Sequence, residues 1–260
     1  MRSLSIAATG MLAQQTNVEV ISNNIANLNT TGFKRQRAEF QDLLYQSERR
    51  VGSASSDSGT IVPAGVQIGV GVKTAAVYRI SEQGGVTKTD NPLDLAILGR
   101  GFFQVTMADG TTAYTRAGSF QLSPTGEIVT ADGLVVQPGV TLPQATTAVT
   151  INANGQVLAQ VAGQTQIQTV GQLQLANFAN EAGLDSIGSN LLKETPASGT
   201  PQQGAPASLG FGTLQQGFLE ASNVNVVSEV TNLITAQRAY EMNSKVITTS
   251  DQMEQTLTHS

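Results

Sequence analysis

The chain has 260 residues, a net charge of −5 and no cysteine. Its length is sufficient for one or two domains with a buried core, and its negative charge argues against a nucleic-acid partner. The lack of cysteine excludes disulfide bonds, thiolate metal sites and cysteine nucleophiles.

The first predicted element is a helix with one narrow apolar stripe. Its seam residues recur at alternating intervals of three and four, the spacing of a coiled coil. They are Leu4, Ala7, Met11, Gln14, Val18, Ile21, Ile25 and Leu28. The sequence predicts that this helix ends at Asn29, with Gly32 as a left-handed C-cap. The same segment lacks the continuous apolar run of a cleavable signal peptide, which by itself predicts a cytoplasmic protein.

A β region follows the helix. Residues 49–65 are rich in serine and glycine and predict a weakly ordered connector. Beyond them, "MADGTTAYTR", "LSPTGEIVTADGLVV" and "INANGQVLAQ" place turn residues between apolar runs, which predicts antiparallel hairpins. Residues 133–180 carry no charge, so we expect part of this polar surface to pack against neighbours. No stretch approaches the roughly 18 apolar residues of a membrane span.

The last predicted element is a second helix with the same stripe. It follows a Pro, Gly and Ala rich connector at residues 195–210. Its seam residues are Val226, Val230, Leu233, Gln237, Tyr240, Ser244 and Ile247. Narrow stripes do not stabilise isolated helices, so the simplest partner of each terminal helix is the other one. The alternative is two surface helices on a globular core. The predicted fold class is α+β, a coiled-coil base of terminal helices around an antiparallel β domain.

The sequence contains no recognisable catalytic constellation. The only histidine, His259, is next to the last residue. Two carboxylate pairs, Asp90 with Asp94 and Glu181 with Asp185, have the residue types of a glycosidase, but turn and loop roles are favoured for both. We therefore predict no enzyme activity, no catalytic residues, no metal and no cofactor. A wall-cutting glycosidase and a free binding module such as an adhesin remain the alternatives from other functional classes.

Four separated motifs together resemble the bacterial flagellar axial proteins of the rod and hook class. The first three are "MLAQQTNVEVISNNIANLNTTGFKRQRAEF", "DNPLDLAILGRGFFQV" and "AYTRAGSFQLSPTGEIVTADGLVVQ". The fourth is "GFLEASNVNVVSEVTNLITAQRAYEMNSKVITTSDQM". The chain length is similar to that of rod subunits. A distal rod subunit is the expectation, a proximal rod subunit is the alternative, and the hook protein is less favoured.

The resemblance implies a domain division and a mechanical function. Residues 1–45 with 217–260 would form the helical domain, and 91–189 the central β domain. Residues 46–90 with 190–216 would connect them, including a rod-specific extended stretch at 46–66. Copies would polymerise into a rigid helical tube that transmits torque from motor to hook and conducts exported subunits. The seam residues above would form the subunit interfaces, and the amides of Asn23, Asn24 and Asn27 would face neighbouring subunits or the channel.

The resemblance also implies partners and a location. The partners would be copies of the chain, other rod proteins, the hook protein, the P and L bushing rings and the type III export apparatus. The location would be the flagellar basal body, from the periplasm to the outer membrane. Export through the flagellum's own channel would replace the missing signal peptide. Neither a nucleic-acid partner nor a membrane span is expected.

Overall fold

The computed structural model describes residues 2–49, 64–163 and 166–259, which form two compact units. The helical unit comprises Met1–Ile25, Gln36–Tyr78 and Asn225–Ser260. The β unit comprises Ala26–Arg35 and Arg79–Val224. The chain thus passes between the two units four times.

Two long helices, α1 (Arg2–Ala26) and α2 (Val226–His259), are the main elements of the helical unit. The start of α2 is capped by Asn225, whose side-chain oxygen accepts a hydrogen bond from the Ser228 backbone N–H at 3.2 Å. Three contacts make the helices antiparallel. Ser250 bonds to Ser3 at 3.3 Å, Asn243 lies against Gly10, and Asn24 donates to Glu229 at 3.2 Å.

Gly10 permits a close approach of the two helices. A methyl group at this position would lie 2.9 Å from the side-chain nitrogen of Asn243, which is closer than carbon atoms normally come. Glycine within a helix lowers its intrinsic stability. Here that loss allows the Asn243 amide to lie directly against the backbone of α1.

The helical unit also contains a two-stranded antiparallel ribbon. Its strands are β1 Gln36–Asp42, β2 Tyr45–Arg49, β3 Val66–Gly69 and β4 Val72–Arg79, and β4 extends one residue into the β unit. β1 pairs with β4, and β2 pairs with β3. Bonds from Leu43 N to Gly71 O and from Val70 N to Leu44 O join the two pairs into one ribbon. Most of the predicted stretch 46–66, namely residues 50–63, lies outside the described residues.

The β unit consists of short strands. They are β5 Val86–Lys88, β6 Leu95–Leu98, β7 Phe102–Thr106, β8 Thr112–Thr115, β9 Phe120–Leu122, β10 Ile128–Thr130, β11 Val135–Val136, β12 Thr146–Ile151, β13 Gln156–Val161, β14 Gln168–Gln172, β15 Leu175–Asn177, β16 Asp185–Gly188, β17 Leu191–Lys193, β18 Gln202–Gly204, β19 Thr213–Gln216 and β20 Phe218–Glu220. A 3-10 turn spans Glu181–Gly183.

All strand pairs of the β unit that the structure describes are antiparallel. Nine strands form the main sheet, in the order β16-β17-β8-β7-β11-β10-β9, with β15 paired to both β7 and β18. A three-stranded sheet has the order β12-β13-β14, and two-stranded pairs join β19 to β6 and β20 to β5. The predicted α+β fold class is confirmed.

Apolar residues of these strands form the core of the β unit. Phe103 and Phe120 pack edge to face with ring centroids 5.0 Å apart, and they lie with Leu95, Ile97 and Leu175 in one buried cluster. The predicted hairpin turns are present. Asp109-Gly110 joins β7 to β8, and Asn154-Gly155 joins β12 to β13. Short strands with these turns therefore enclose this apolar cluster and a second one, which consists of Phe102, Tyr114, Ala176, Phe178 and Leu184.

Candidate assembly interface

The contact line between α1 and α2 follows a heptad spacing, but it is displaced from the predicted seams. On α1 it passes through Ser3, Gly10 and Asn24, and on α2 through Glu229, Asn243 and Ser250. All of these positions except Ser250 precede by one residue a predicted seam position, namely Leu4, Met11, Ile25, Val230 and Ser244. The pairing of α1 with α2 within the chain therefore uses helix faces next to the predicted seams, and part of each predicted apolar stripe is not covered by the other helix.

The predicted seam residues accordingly differ in burial. Ala7 and Ile21 are buried, and the half-buried ones are Leu4, Met11, Gln14, Val18, Ile25, Leu28, Leu233, Ser244 and Ile247. The exposed ones are Val226, Val230, Gln237 and Tyr240. Sequence reasoning missed buried residues on both helices, namely Ala13, Val20, Asn24, Glu229, Ala236 and Ser250. Because small and polar residues dominate this set, an apolar periodicity cannot detect it.

Further apolar side chains are exposed on both helices. They include Leu12, Val227, Ile234, Met242, Val246 and Met253. Exposed apolar residues at this density are typical of surfaces that contact another molecule. The helical unit thus has an internal face of small and polar contacts and outer faces that carry the larger apolar groups.

Asn24 acts within the chain. Its amide nitrogen donates to the Gln36 carbonyl oxygen at 2.8 Å and to Glu229, and its carbonyl oxygen accepts from the Gln36 N–H at 2.7 Å. The expectation that Asn24 faces a neighbouring subunit or a channel is therefore wrong. The side-chain amide can be buried because it forms hydrogen bonds with both backbone groups of Gln36, the residue that begins β1.

The role predicted for Gly32 also needs correction. α1 ends at Ala26, so Gly32 is too far along the chain to cap it. Gly32 does have the left-handed conformation, with φ of +67°. It lies in a turn of the connection between α1 and β1, where its N–H donates to the Glu220 carbonyl oxygen at 2.8 Å. The segment 1–45, predicted as helical, thus contains this turn and strand β1 after its helix.

That turn leads to a buried ionic junction in the β unit. The Glu220 carboxylate accepts from Lys34 Nζ at 2.6 Å, from Arg116 Nε at 2.6 Å and from the Gly84 N–H at 2.9 Å. The side chains of Glu220, Arg116 and Lys34 are 0%, 7% and 12% exposed. One anion thus holds two cations from distant parts of the chain.

Backbone carbonyl groups complete the junction. Arg116 donates to the carbonyl oxygens of Ile97 at 3.1 Å, Gly99 at 2.5 Å and Gly101 at 2.5 Å. Buried charges are tolerated when every polar group has a partner. The guanidinium therefore fixes the loop between β6 and β7 as well as pairing with Glu220.

The junction shifts the pKa values of its groups. Burial opposes ionisation of Glu220, but the charges and hydrogen bonds of Arg116 and Lys34 outweigh burial and lower the pKa of this carboxyl from 4.5. Burial also lowers the pKa of the Lys34 ammonium from 10.5, although its hydrogen bond to Glu220 opposes this shift. The junction therefore favours the ionised form of Glu220 and opposes that of Lys34. Glu220 faces two cations, whereas the attraction of Glu220 and Glu181 for Lys34 does not offset burial and the repelling Arg116 charge.

The junction predicts a pH-dependent stability. Since the pKa of Glu220 is lower in the folded chain, its contribution is complete above about pH 4.5 and is lost as the pH falls through the folded pKa. We expect wild type to exceed Glu220→Gln in free energy of unfolding at about pH 7, and this difference to shrink by about pH 3, because protonated glutamate resembles glutamine. Urea unfolding followed by circular dichroism measures it, and a pH-independent difference would contradict the ionic role.

The candidate glycosidase carboxylates have structural contacts. The buried Asp94 carboxylate accepts from the Thr89 hydroxyl at 2.7 Å and from the Asn91 amide at 3.0 Å. The Asn91 side chain in turn accepts from the Leu93 N–H, which holds the predicted turn. Glu181, whose side chain is mostly buried, pairs at 3.1 Å with the exposed Arg100.

Comparison with known families identifies the chain. Residues 4–34 match the family described as flagella basal body rod protein, and residues 96–159 match the flagellar hook protein FlgE/F/G D1 domain. Residues 215–259 match the flagellar basal body rod FlgEFG protein C-terminal family. The flagellar basal-body rod protein FlgG of Caulobacter vibrioides is 63% identical over 98% of this chain and 97% of its own length. The chain belongs to the flagellar basal-body rod protein family.

Other rod proteins support the same assignment over the full length. FlgG of Agrobacterium fabrum is 55% identical over 97% of both chains. FlgG of Bacillus subtilis is 42% identical over 99% of this chain and 98% of its own. The chain is accordingly a structural subunit of the distal rod, and the proximal-rod alternative is not favoured. Within the described residues, neither helix of this rod subunit has an apolar stretch long enough to cross a membrane.

The ionic junction connects all three family segments. Lys34 is the last residue of the first matched segment, Arg116 lies in the second, and Glu220 lies in the third. In the rod subunit, this junction therefore fastens the connection after α1 and the strand before α2 to the same β core.

Proposed function

We propose that copies of this chain pack side by side through the outer faces of α1 and α2, so that the helices form the inner layer of the rod. The β units would form the outer layer of the tube. Contacts between unlike patches of identical copies generate an open helical polymer. Such a tube would transmit torque from motor to hook and leave a central channel for exported subunits.

The exposed apolar row of α2 carries this proposal. Val226 and Val230 are each 41% exposed, although they occupy seam positions of a coiled-coil pattern. The α1 contact line passes beside them through Glu229. A neighbouring helix would bury these side chains and gain the apolar contact that the isolated chain does not provide.

The same proposal includes the predicted partners and location. Other rod proteins, the hook protein and the P and L bushing rings would contact the ends and the outside of the tube. The flagellar type III export apparatus would deliver the subunits without a cleavable signal peptide. The rod would then extend through the periplasm to the outer membrane.

A charge on the outer face of α2 tests the proposal. We expect Val230→Asp to fold normally, because the side chain is exposed in the single chain, but to abolish swimming and rod completion in a strain that lacks this protein. The reason is that assembly would bury an unpaired carboxylate. Motility and electron microscopy of basal bodies are the measurements.

The control is Asn232→Asp, which adds the same charge at an exposed position outside the predicted seam. It should restore swimming as wild type does. Normal rods from Val230→Asp would refute the proposed helix interface. Failure of the wild-type chain itself to restore rods would refute the proposed function as a whole.

A further inference from the structure

The two edges of the three-stranded sheet β12-β13-β14 differ. At the β12 edge, the Gln216 side chain accepts from the Ile151 N–H at 3.0 Å and donates to the Val149 carbonyl oxygen at 2.9 Å. A side-chain amide therefore occupies the backbone groups that another strand would use. β14, in contrast, has β13 as its one paired strand among the described residues.

The β14 edge away from β13 carries no protecting charge of its own. Thr169 and Gln172 are exposed, and no charged residue occurs anywhere in residues 133–180. Edge strands of soluble proteins are usually defended by lysine, proline, a bulge or a covering segment, because unpaired backbone groups invite pairing with another chain. β14 has no charge or proline, and its one register irregularity lies opposite Val157 and Leu158 of β13.

The charge of the whole chain indicates which partner this surface fits. Copies with a net charge of −5 repel one another, and a contact that buries an unpaired charge is costly. A neutral surface of amides and hydroxyls avoids both problems, since identical copies can approach there and exchange hydrogen bonds. A second copy of the chain is therefore the partner that the composition favours.

We propose that the β14 edge pairs with an extended segment of a neighbouring copy in the assembled rod. This inference rests on the proposed function, because it requires an open polymer of copies. Two β14 edges facing each other would make a closed two-fold dimer, whereas an open polymer needs contacts between unlike patches. The neighbour therefore contributes a segment other than β14.

Two threonines provide a matched test. Thr169 on β14 and Thr150 on β12 are both exposed, and both lie opposite Leu158 of β13. They therefore lie in the same row across the sheet and on the same face. Thr150 lies on the β12 edge, and Thr169 lies on the β14 edge. We expect Thr169→Lys to reduce completed rods by about tenfold or more, because a lysine on an edge strand opposes pairing with another chain and would place an unpaired charge in the contact. Thr150→Lys should restore rods as wild type does.

The outcomes separate this inference from the proposed function. Rods are counted by electron microscopy in a strain lacking the protein, with export and circular dichroism confirming that both variants are secreted and folded. If wild type, Thr169→Lys and Thr150→Lys all restore rods equally, the edge pairing is overturned and the rod function stands. If the wild-type chain itself restores no rods, the proposed function is refuted, and the edge pairing that rests on it is refuted as well.

A second measurement applies if Thr169→Lys does not fold. The chain has no cysteine, so Thr169→Cys and Thr150→Cys each introduce a unique thiol. We expect the Thr169→Cys thiol to react with maleimide in the monomer but to be protected in purified basal bodies, and the Thr150→Cys thiol to react in both. Equal labelling of Thr169→Cys in monomer and rod would overturn the proposal, as would a disulfide between two Thr169→Cys copies.

Discussion

Replacing Glu220 with alanine is expected to lower the free energy of unfolding by about 3–5 kcal/mol, the usual cost of removing one partner from a buried ion pair. The reason is the surroundings of the carboxylate. Its side chain is fully buried, and Lys34 and Arg116 both lie 2.6 Å from its oxygens. Without Glu220, two cations would remain buried opposite a neutral methyl group.

A surface ion pair provides the control. Glu48 pairs with Arg2, and both side chains are about half exposed, so Glu48→Ala should cost less than about 1 kcal/mol. Urea unfolding at neutral pH, followed by circular dichroism, measures both variants. Similar small losses for Glu220→Ala and Glu48→Ala would show that the junction adds nothing beyond an exposed pair.

The elements that the sequence predicts well are those that depend on residues close together in the chain. Helix α2 begins where Asn225 can cap it, and hairpin turns occur at Asp109-Gly110 and Asn154-Gly155. Each depends on residues a few positions apart, so the sequence pattern contains the physical reason. The heptad spacing similarly identifies two amphipathic helices. It does not identify which face pairs within the chain, because that depends on small residues such as Gly10 and Ala236.

The ionic junction depends on long-range contacts and could not be predicted in this way. Arg116 and Glu220 are 104 positions apart, and Lys34 and Glu220 are 186 apart. Nothing in the sequence marks these three charges: Lys34 lies beside Arg35, whereas Arg116 and Glu220 are single charges, and each has the same appearance as a solvated surface residue. The buried Asn24 is similar, since its partners Gln36 and Glu229 become apparent only when α1, β1 and α2 are packed.

Replacing Gly32 with valine is expected to abolish rod assembly and to destabilise the β unit by more than the roughly 1–2 kcal/mol of a left-handed residue. Gly32 has φ of +67°, and a Cβ atom there would lie 2.8 Å from the backbone nitrogen of Ala117 and 2.8 Å from the carbonyl carbon of Arg116. Both neighbours are backbone atoms, which cannot rotate away as a side chain could.

Two controls separate the causes of this effect. Gly110 also has a positive φ, +81°, but apart from its two chain neighbours no atom of the described residues lies within 4 Å of its Cβ position, so Gly110→Val should show the conformational cost alone. Thr30→Val removes the hydroxyl hydrogen bond to Asn27 in the same connection and should leave assembly largely intact. Motility and urea unfolding are measured for all three. Equal motility of Gly32→Val and Thr30→Val would refute the steric argument.

The effect of Gly32→Val should also be coupled to the ionic junction. A side chain at Gly32 can be accommodated only if the backbone at Arg116 moves, and Arg116 Nε lies 2.6 Å from Glu220. Residues that share one network give non-additive changes, whereas distant sites add. We therefore expect Gly32→Val combined with Glu220→Ala to lose less stability than the sum of the single variants. Gly110→Val combined with Glu220→Ala should be additive, since nothing lies close to the Gly110 Cβ position.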